Sequence, residues 1–189
     1  LADVNGDGKA DIVAFGSNSI YVSLSTGNGF QKKVRWNTDL CYNDGWRVNK
    51  HVRKLSDVNG DGKADLVSFG NKSTYVSLST GNGFSKKRTW HTDFGYNDNW
   101  KVDKNVTTLA DVNGDGKDDI VGFGSNKVYV SLSNGIKFQP KLVWVSNNYV
   151  YNQNWIVKSE SGDGNPRMSK DVDGNGKSDI VGYGDYGVW

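Results

Sequence analysis

One phrase is written four times in this chain, and the spacing of its copies limits the fold more than any other feature. It reads "LADVNGDGKADIVAFG" from Leu1, "LSDVNGDGKADLVSFG" from Leu55, "LADVNGDGKDDIVGFG" from Leu109 and, more loosely, "SKDVDGNGKSDIVGYG" from Ser169. Asp3, Asp57, Asp111 and Asp171 head the copies, at spacings of 54, 54 and 60 residues. The register runs on well beyond them. "YVSLSTGNGF" at Tyr21 recurs at Tyr75 and returns as "YVSLSNGIKF" at Tyr129, and Trp36, Trp90 and Trp144 each lie 33 residues after their leading aspartate. A second tryptophan follows at Trp46, Trp100 and Trp155. A period near fifty residues marks a repeat architecture, in which one unit buries its faces against its neighbours.

Each unit reads as four strands. "ADIVAFG" and "SIYVSLS" are short runs rich in Val, Ile and aromatics, bounded by Gly, Asn and Ser, while "GFQKKVRW" and "WRVNKHVRKL" alternate apolar with polar. These patterns predict an all-β chain of four-stranded β-propeller blades, with a parallel β-solenoid as the runner-up. The units are 1–54, 55–108, 109–168 and a partial 169–189 within one propeller region. Trp189 stands 18 residues after Asp171, as Tyr21 stands after Asp3, so the fourth copy breaks off in its second strand. Closed propellers have four to eight blades. The expectation is therefore a homodimer, or association with the remaining propeller sequence.

The charge balance, 23 basic against 21 acidic residues, leaves a net +2 spread evenly along the chain. Nucleic-acid binders concentrate a basic stripe, so none is expected as a partner. The clusters Lys32, Lys33, Arg35 and Lys86, Lys87, Arg88 read as solvated strand faces. No apolar run approaches the roughly 20 residues of a membrane-crossing helix. Cys41 is the single cysteine, which excludes an internal disulfide framework. Asn71-Lys72-Ser73 and Asn105-Val106-Thr107 permit N-glycosylation. A secreted or extracellular setting is favoured.

Within the repeated phrase, oxygen-bearing side chains occupy positions one, three, five and nine. These are Asp3, Asn5, Asp7 and Asp11; Asp57, Asn59, Asp61 and Asp65; Asp111, Asn113, Asp115 and Asp119; Asp171, Asp173, Asn175 and Asp179. Lys9, Lys63, Lys117 and Lys177 stand at position seven, where a main-chain carbonyl can add a ligand. Calcium takes six to eight oxygens at about 2.3–2.6 Å, whereas magnesium demands an octahedron and keeps its waters. An EF-hand is excluded, because Ala14, Ser68, Gly122 and Gly182 stand where its terminal Glu belongs and no helical pattern flanks the loop. A structural Ca²⁺ loop between two strands is the expectation. Turn formation alone is the simpler alternative, but a turn needs one such residue and three aspartates repel.

The pattern D-x-N-x-D-G-x-x-D leading into Phe-Gly resembles the FG-GAP or VCBS-type repeat of integrin α propellers. The longer segment "YNDGWRVNKHVRKLSDVNGDGKADLVSFG" resembles the repeat of the Psathyrella velutina lectin-like family. That resemblance implies a seven-bladed propeller that binds N-acetylglucosamine and sialylated glycans in shallow pockets between consecutive blades. It places the carbohydrate site around Tyr42, Asn43, Asp44, Trp46, Arg47 and His51, with Tyr96, Asn97 and Trp100, then Tyr151 and Trp155, in the later copies. Aromatic rings suit the C–H face of a pyranose, Asn and Asp its hydroxyls, and Arg a sialic carboxylate. The copies differ: Lys101 and Asn105 replace Arg47 and His51, and the third copy has Ile156, so the first site is expected to be the strongest. A strand through this segment would put Trp46, Val48 and Val52 on one face and Arg47, Asn49 and His51 on the other. The competing reading is an integrin-like adhesion or protein-interaction propeller without a sugar site. An enzyme is not expected, since the two histidines, His51 and His91, recur in no other copy and the carboxylates cluster in metal loops.

Overall fold

The computed structural model describes residues 1–157, 164–184 and 187–188. Trp189, and most of the stretch where the third copy diverges, lie outside the described residues. Among the described residues fourteen strands form four antiparallel sheets, and there is no α-helix. The first sheet is β1 (Ile12–Phe15), β2 (Ile20–Ser23) and β3 (Val34–Asn37), with Ala2 bridged to Asp11 at its inner margin. The second runs β4 (Arg53–Ser56), β5 (Asp65–Phe69), β6 (Thr74–Ser77) and β7 (Arg88–His91) in chain order. The third repeats it as β8 (Val106–Ala110), β9 (Asp119–Phe123), β10 (Lys127–Ser131) and β11 (Leu142–Ser146). The fourth holds β12 (Arg167–Lys170), β13 (Asp179–Gly184) and β14 (Gly187–Val188). Each is a simple meander, and the sheets stand as consecutive blades of a β-propeller, with inner strands β4 and β8, then β8 and β12, in contact.

The blades do not coincide with the repeat units. Strand β4 straddles the 54/55 boundary and pairs Ser56 with Asp65, so each Asp loop joins the first two strands of one blade. The segment read as a strand from Trp46 is also different: residues 48–50 form a turn and only Arg53–Ser56 is extended. The two-residue alternation there is genuine in sequence, but the backbone N–H of Arg47 donates to His51 Nδ1 and that of His51 to the Arg47 carbonyl, which closes the chain on itself. Likewise the strand at "GFQKKVRW" is only Val34–Asn37, which takes in the last three residues of that run and the one after it. One irregularity recurs: a bulge breaks the register between Ile20 and Tyr21, Thr74 and Tyr75, and Val128 and Tyr129. Such bulges raise local twist, which a radial stack of sheets needs.

The core lies in the seams. One buried cluster joins Val4, Ile20 and Val22 of the first blade to Leu66 and Phe84 of the second through Leu40 and Trp46. A second joins Val67, Phe69 and Val76 to Ile120 and Phe138 through Phe94 and Trp100. A third joins Val121, Phe123 and Val128 to Ile180. Outer tryptophans repeat the principle: Trp36 meets Phe84 of the next blade edge-on at 5.3 Å, and Trp90 meets Phe138 at 5.5 Å. Trp144, their counterpart on the third blade, is 46% exposed, and Phe30, the counterpart of Phe84 and Phe138 on the first, is 50% exposed.

Candidate functional site

In each Asp loop the position-one carboxylate gathers main-chain donors. Asp57 accepts from Gly60 N (2.7 Å) and Asp61 N (3.2 Å) on Oδ1, and from Gly62 N (2.7 Å) on Oδ2. Asp3 and Asp111 make the same three bonds, and Asp171 makes the two to Gly174 and Gly176. Gly60 and Gly62 sit at φ +78° and +81°, a left-handed conformation that side chains resist, so the loop needs glycine at both places. Positions three and five extend the ladder, Asn59 Oδ1 accepting from Asp61 N and Asp61 Oδ1 from Lys63 N, both at 3.0 Å.

Position nine does different work. Asp11, Asp65 and Asp119 are fully buried as the first residue of the second strand or just before it. Asp65 accepts from Val58 N at 3.3 Å and Ser79 N at 2.8 Å, tying two loops to its strand. Burial pushes the Asp65 carboxyl up to about 7 and that of Asp119 up to about 6. A cation beside them would hold them ionised. In the fourth loop Asp171, Asp173 and Asp179 each offer an oxygen within 4.8 Å of the others. The donor set is hard oxygen throughout and fits calcium, with positions one, three, five and nine as the residues that would hold it. The position-seven lysines engage by side chain: Lys9, Lys63 and Lys117 pair with Asp7, Asp61 and Asp115 at 3.2, 3.1 and 3.2 Å. Lys177 faces the neutral Asn175 and keeps the main-chain bond common to all four loops, its N–H donating to that side chain at 2.8 Å.

The loops also fasten blade to blade. Ala64 N donates to the Asp3 carbonyl (2.7 Å), Asp118 N to Asp57 (2.8 Å) and Ser178 N to Asp111 (2.7 Å). Ser79 and Ser133 hydroxyls donate to the Val4 and Val58 carbonyls, both at 2.5 Å.

At the opposite strand ends, the residues expected to touch sugar divide sharply. Tyr42–Asp44, Tyr96–Asp98 and Tyr151–Gln153 are single 3₁₀ turns on the surface. Tyr42 is 56% exposed, with the Arg47 guanidinium 3.8 Å from its ring centroid. Lys101 sits 3.5 Å from the Tyr96 centroid, and Lys50, from the preceding crossing, reaches the same ring at 5.4 Å. Asp44 spends one oxygen on Cys41 N at 3.0 Å, which caps the turn, and Asn43 donates to Asn18 Oδ1 at 2.5 Å. Asn97 is exposed and its N–H is held by the Asn71 carbonyl at 2.7 Å. Arg47 donates to the Tyr42 carbonyl at 2.5 Å and to that of Trp46 at 3.2 Å, so part of its donor fork is engaged.

His51 and the tryptophans belong to the interior. His51 is 6% exposed, stacked edge-on to Trp46 at 5.0 Å, with Nδ1 held by Arg47 N and Nε2 bonded to Asn71 Oδ1 at 2.9 Å. With both ring nitrogens engaged it is a fastener of the crossing segment rather than a ligand group. Asn105 takes over that place in the second copy, accepting from Lys101 N at 3.1 Å, and its burial removes it as a glycosylation acceptor. Trp46 and Trp100 are each 8% exposed. Their ring tips, and that of half-buried Trp155, lie against Gly70, Gly122 and Gly182 of the next blade, leaving no room for a Cβ at the latter two. The structure thus brings Tyr42, Asn43, Asp44 and Arg47 together at the surface and withdraws Trp46 and His51 beneath them.

Seam grooves on the outer rim were not foreseen. One of about 530 Å³ is lined by Trp90, His91, Thr92, Asp93, Phe138 and Lys141 among others. Its counterpart of about 290 Å³, 54 residues earlier, is lined by Trp36, Asn37, Thr38, Asp39 and Phe84. Thr-Asp two residues after Trp36 and Trp90 is the sequence signal that marks them, and Trp144 is followed instead by Val145, Ser146 and Asn147.

Residues 57–121 match the FG-GAP-like repeat family. No curated protein matches the chain. Among solved structures, an Agrocybe aegerita lectin, described by its specific recognition of non-reducing terminal N-acetylglucosamine, superposes with TM-score 0.89 and 34% identity. The match covers 100% of this chain and 46% of the lectin, so the chain spans about half the length of that relative. The Photorhabdus luminescens Tc holotoxin pore matches with TM-score 0.71 at 21% identity, over 100% of this chain and 8% of the other. A TcdB2-TccC3 structure matches with TM-score 0.55 at 18% identity, over 100% and 9%. The two toxin likenesses carry the fold alone.

Proposed function

We propose that this chain is a carbohydrate-binding propeller segment of the lectin type. It takes glycans ending in N-acetylglucosamine through repeated shallow sites in the blade seams, with sialylated glycans as a second class and calcium bracing the Asp loops. The observation that carries this reading is the 34% identity, over the whole of this chain, to a lectin described as recognising terminal N-acetylglucosamine. The chemistry agrees. Exposed Tyr42, Asn43 and Asp44 beside half-buried Arg47, with Tyr96 and Asn97 in the second copy, offer ring faces, amides and charges suited to a pyranose. Repetition raises avidity without new contacts, which offsets weak single sites. The proposal is of binding without catalysis, which the engagement of both His51 ring nitrogens within the fold supports.

Isothermal titration of the 189-residue chain with N-acetylglucosamine and with sialyllactose tests it, expecting millimolar to micromolar binding of the first. Heat signals no greater than those for glucose would reject the lectin reading. Repeating the titration after chelation separates the two roles of the loops: loss of sugar binding by a chain still folded would place calcium in the sugar site itself, against this proposal.

A further inference from the structure

Two asparagines of this chain stand in an Asn-x-Ser/Thr tripeptide, Asn71 and Asn105, and the fold treats them in opposite ways. Asn105 is buried and both ends of its amide are taken: Oδ1 accepts from Lys101 N at 3.1 Å, and Nδ2 donates to the Phe123 carbonyl at 3.3 Å. Asn71 is exposed, with Lys72 beside it at the tip of the hairpin joining β5 to β6, where Gly70 N donates to the Ser73 carbonyl at 2.9 Å. Only one end of its amide is engaged. Arg47 N donates to His51 Nδ1, which leaves the imidazole proton on Nε2, and that N–H donates to Asn71 Oδ1 at 2.9 Å. The oxygen thus faces the crossing segment, and among the described residues Nδ2 makes no hydrogen bond. The hairpin backbone is fixed. The Gly70 and Asn71 carbonyls accept from Tyr96 N at 2.9 Å and Asn97 N at 2.7 Å, and a Cβ at Gly95 would stand 2.6 Å from the Asn71 main-chain oxygen. Ser17 and Ser125 hold the place of Asn71 in the first and third blades, so the second blade alone presents this acceptor.

We propose that Asn71 is an N-glycosylation site, modified from an oligosaccharyl diphosphate carried on a polyprenyl lipid. In the transfer Nδ2 bonds to the anomeric carbon, and the bond from that carbon to the diphosphate oxygen breaks. The diphospholipid leaves with the electron pair, and the amide gives one proton to a base of the transferring enzyme. A glycan is bulky and belongs at the surface, so the folded chain decides which modified asparagine it accommodates. At Asn71 the glycosyl amide keeps the carbonyl oxygen that His51 needs, and its nitrogen displaces no bond of the fold. At Asn105 the same substitution would crowd the bond to Phe123 and drive a sugar into the core. The rigid hairpin beneath Asn71 means that attachment orders no further backbone, which limits its entropic cost. The modification stands apart from the lectin reading, and its absence would leave that reading untouched.

The test expresses the 189-residue chain behind a cleavable leader in a eukaryotic secretory host, beside its Ser73→Ala variant. That variant destroys the tripeptide but keeps Asn71 and its bond to His51. Enzymatic deglycosylation in heavy-oxygen water, followed by peptide mass mapping, marks each asparagine that carried a glycan. Exported and retained chains are both mapped, so poor export hides nothing. The exported parent is expected to be marked at Asn71 and unmarked at Asn105, and Ser73→Ala to lose the whole glycan mass. Trimming the parent to its first sugar is expected to leave its melting temperature within about 2 °C of the unmodified variant, a change well under 1 kcal/mol in stability. An Asn71 unmarked in both fractions overturns the assignment. So does a glycan at Asn71 found only in the retained chain, or one at Asn105 in the folded, exported protein, because the fold would then be sorting the two sites otherwise.

Discussion

Replacing Trp100 by alanine decides whether the second tryptophan of each repeat is structural or a sugar platform. The ring is 8% exposed, packs on Phe94 at 4.8 Å and Tyr129 at 6.1 Å, and its indole N–H donates to Asp93 Oδ1 at 3.2 Å. Its tip lies against Gly122, so the side chain spans the whole seam between second and third blades. Truncating a buried tryptophan costs about 3–5 kcal/mol, because neighbouring groups close only part of the cavity. Asp93 loses one donor but keeps Phe94 N and Lys141, so little is added on that account. Domains of this size are stable by about 5–15 kcal/mol, so the change removes a large share. Urea unfolding followed by the fluorescence of the remaining tryptophans measures the loss, with Tyr96→Ala, on the surface turn, expected to cost under about 1 kcal/mol. A Trp100→Ala chain within about 1 kcal/mol of the parent, yet unable to bind N-acetylglucosamine, would show that the indole serves the ligand and that the seam is held otherwise.

Chelation should lower the melting temperature and calcium should restore it; at a hundredfold excess over Kd one site contributes about 2.7 kcal/mol, and a melt indifferent to millimolar calcium would refute a bracing role. Burial holds His91 below its ordinary value, so the folded chain prefers the neutral ring. Its contribution is complete above the unfolded value near 6.5 and is lost as pH falls through the lower folded one; His91→Asn, which installs the residue found at position 37, should flatten the acid limb of urea midpoints between pH 7.5 and 5. The exposed Trp144 and Phe30 present the two halves of the pair that closes the inner seams, so two chains should meet head to tail. Light scattering on a chain of 20.8 kDa is expected to report about twice that mass, and Trp144→Ser to return it to the single value.

Much of the fold was legible because the repeat enforces it. Asp-x-Asn-x-Asp-Gly marks a loop whose first carboxylate takes the following N–H groups, and the Val-rich runs after it become β5 and β9 with every residue buried. The crossing segment was misread for a physical reason. Val48 and Val52 alternate with polar neighbours as a strand would, but Val48 points to solvent and the path is fixed by His51, a side-chain acceptor for the Arg47 N–H. Hydrophobic period cannot report a bond made by one imidazole. Repeat counting has a similar blind spot: it gives the length of a unit but not its phase, so the 54/55 boundary cuts through β4. The rim grooves escaped notice because each needs residues from two copies, Asp93 with Lys141, that lie 48 positions apart.

The seams also explain why equal sequence copies need not give equal sites. The position facing the seam tryptophan is Gly122 in the third blade and Gly182 in the fourth, where a Cβ would stand 2.5 and 2.6 Å from the indole tip, but it is Ser68 in the second. Serine has a Cβ, and Trp46 accordingly lies against Gly70, whose own Cβ position is 3.4 Å from its ring. The neighbours of the two rings differ with the residues of each copy: His51 packs on Trp46 where the next copy has Asn105, and Phe94 packs on Trp100 where the first copy has Leu40. Phe94 follows Asp93, the acidic member of the second rim groove, and donates its N–H to the Asp93 carboxylate at 2.6 Å, while Leu40 holds the same place in the first. The residue beneath the tryptophan and the residue beside it, Leu40 or Phe94, therefore distinguish one seam from the next even where the Asp loops are the same.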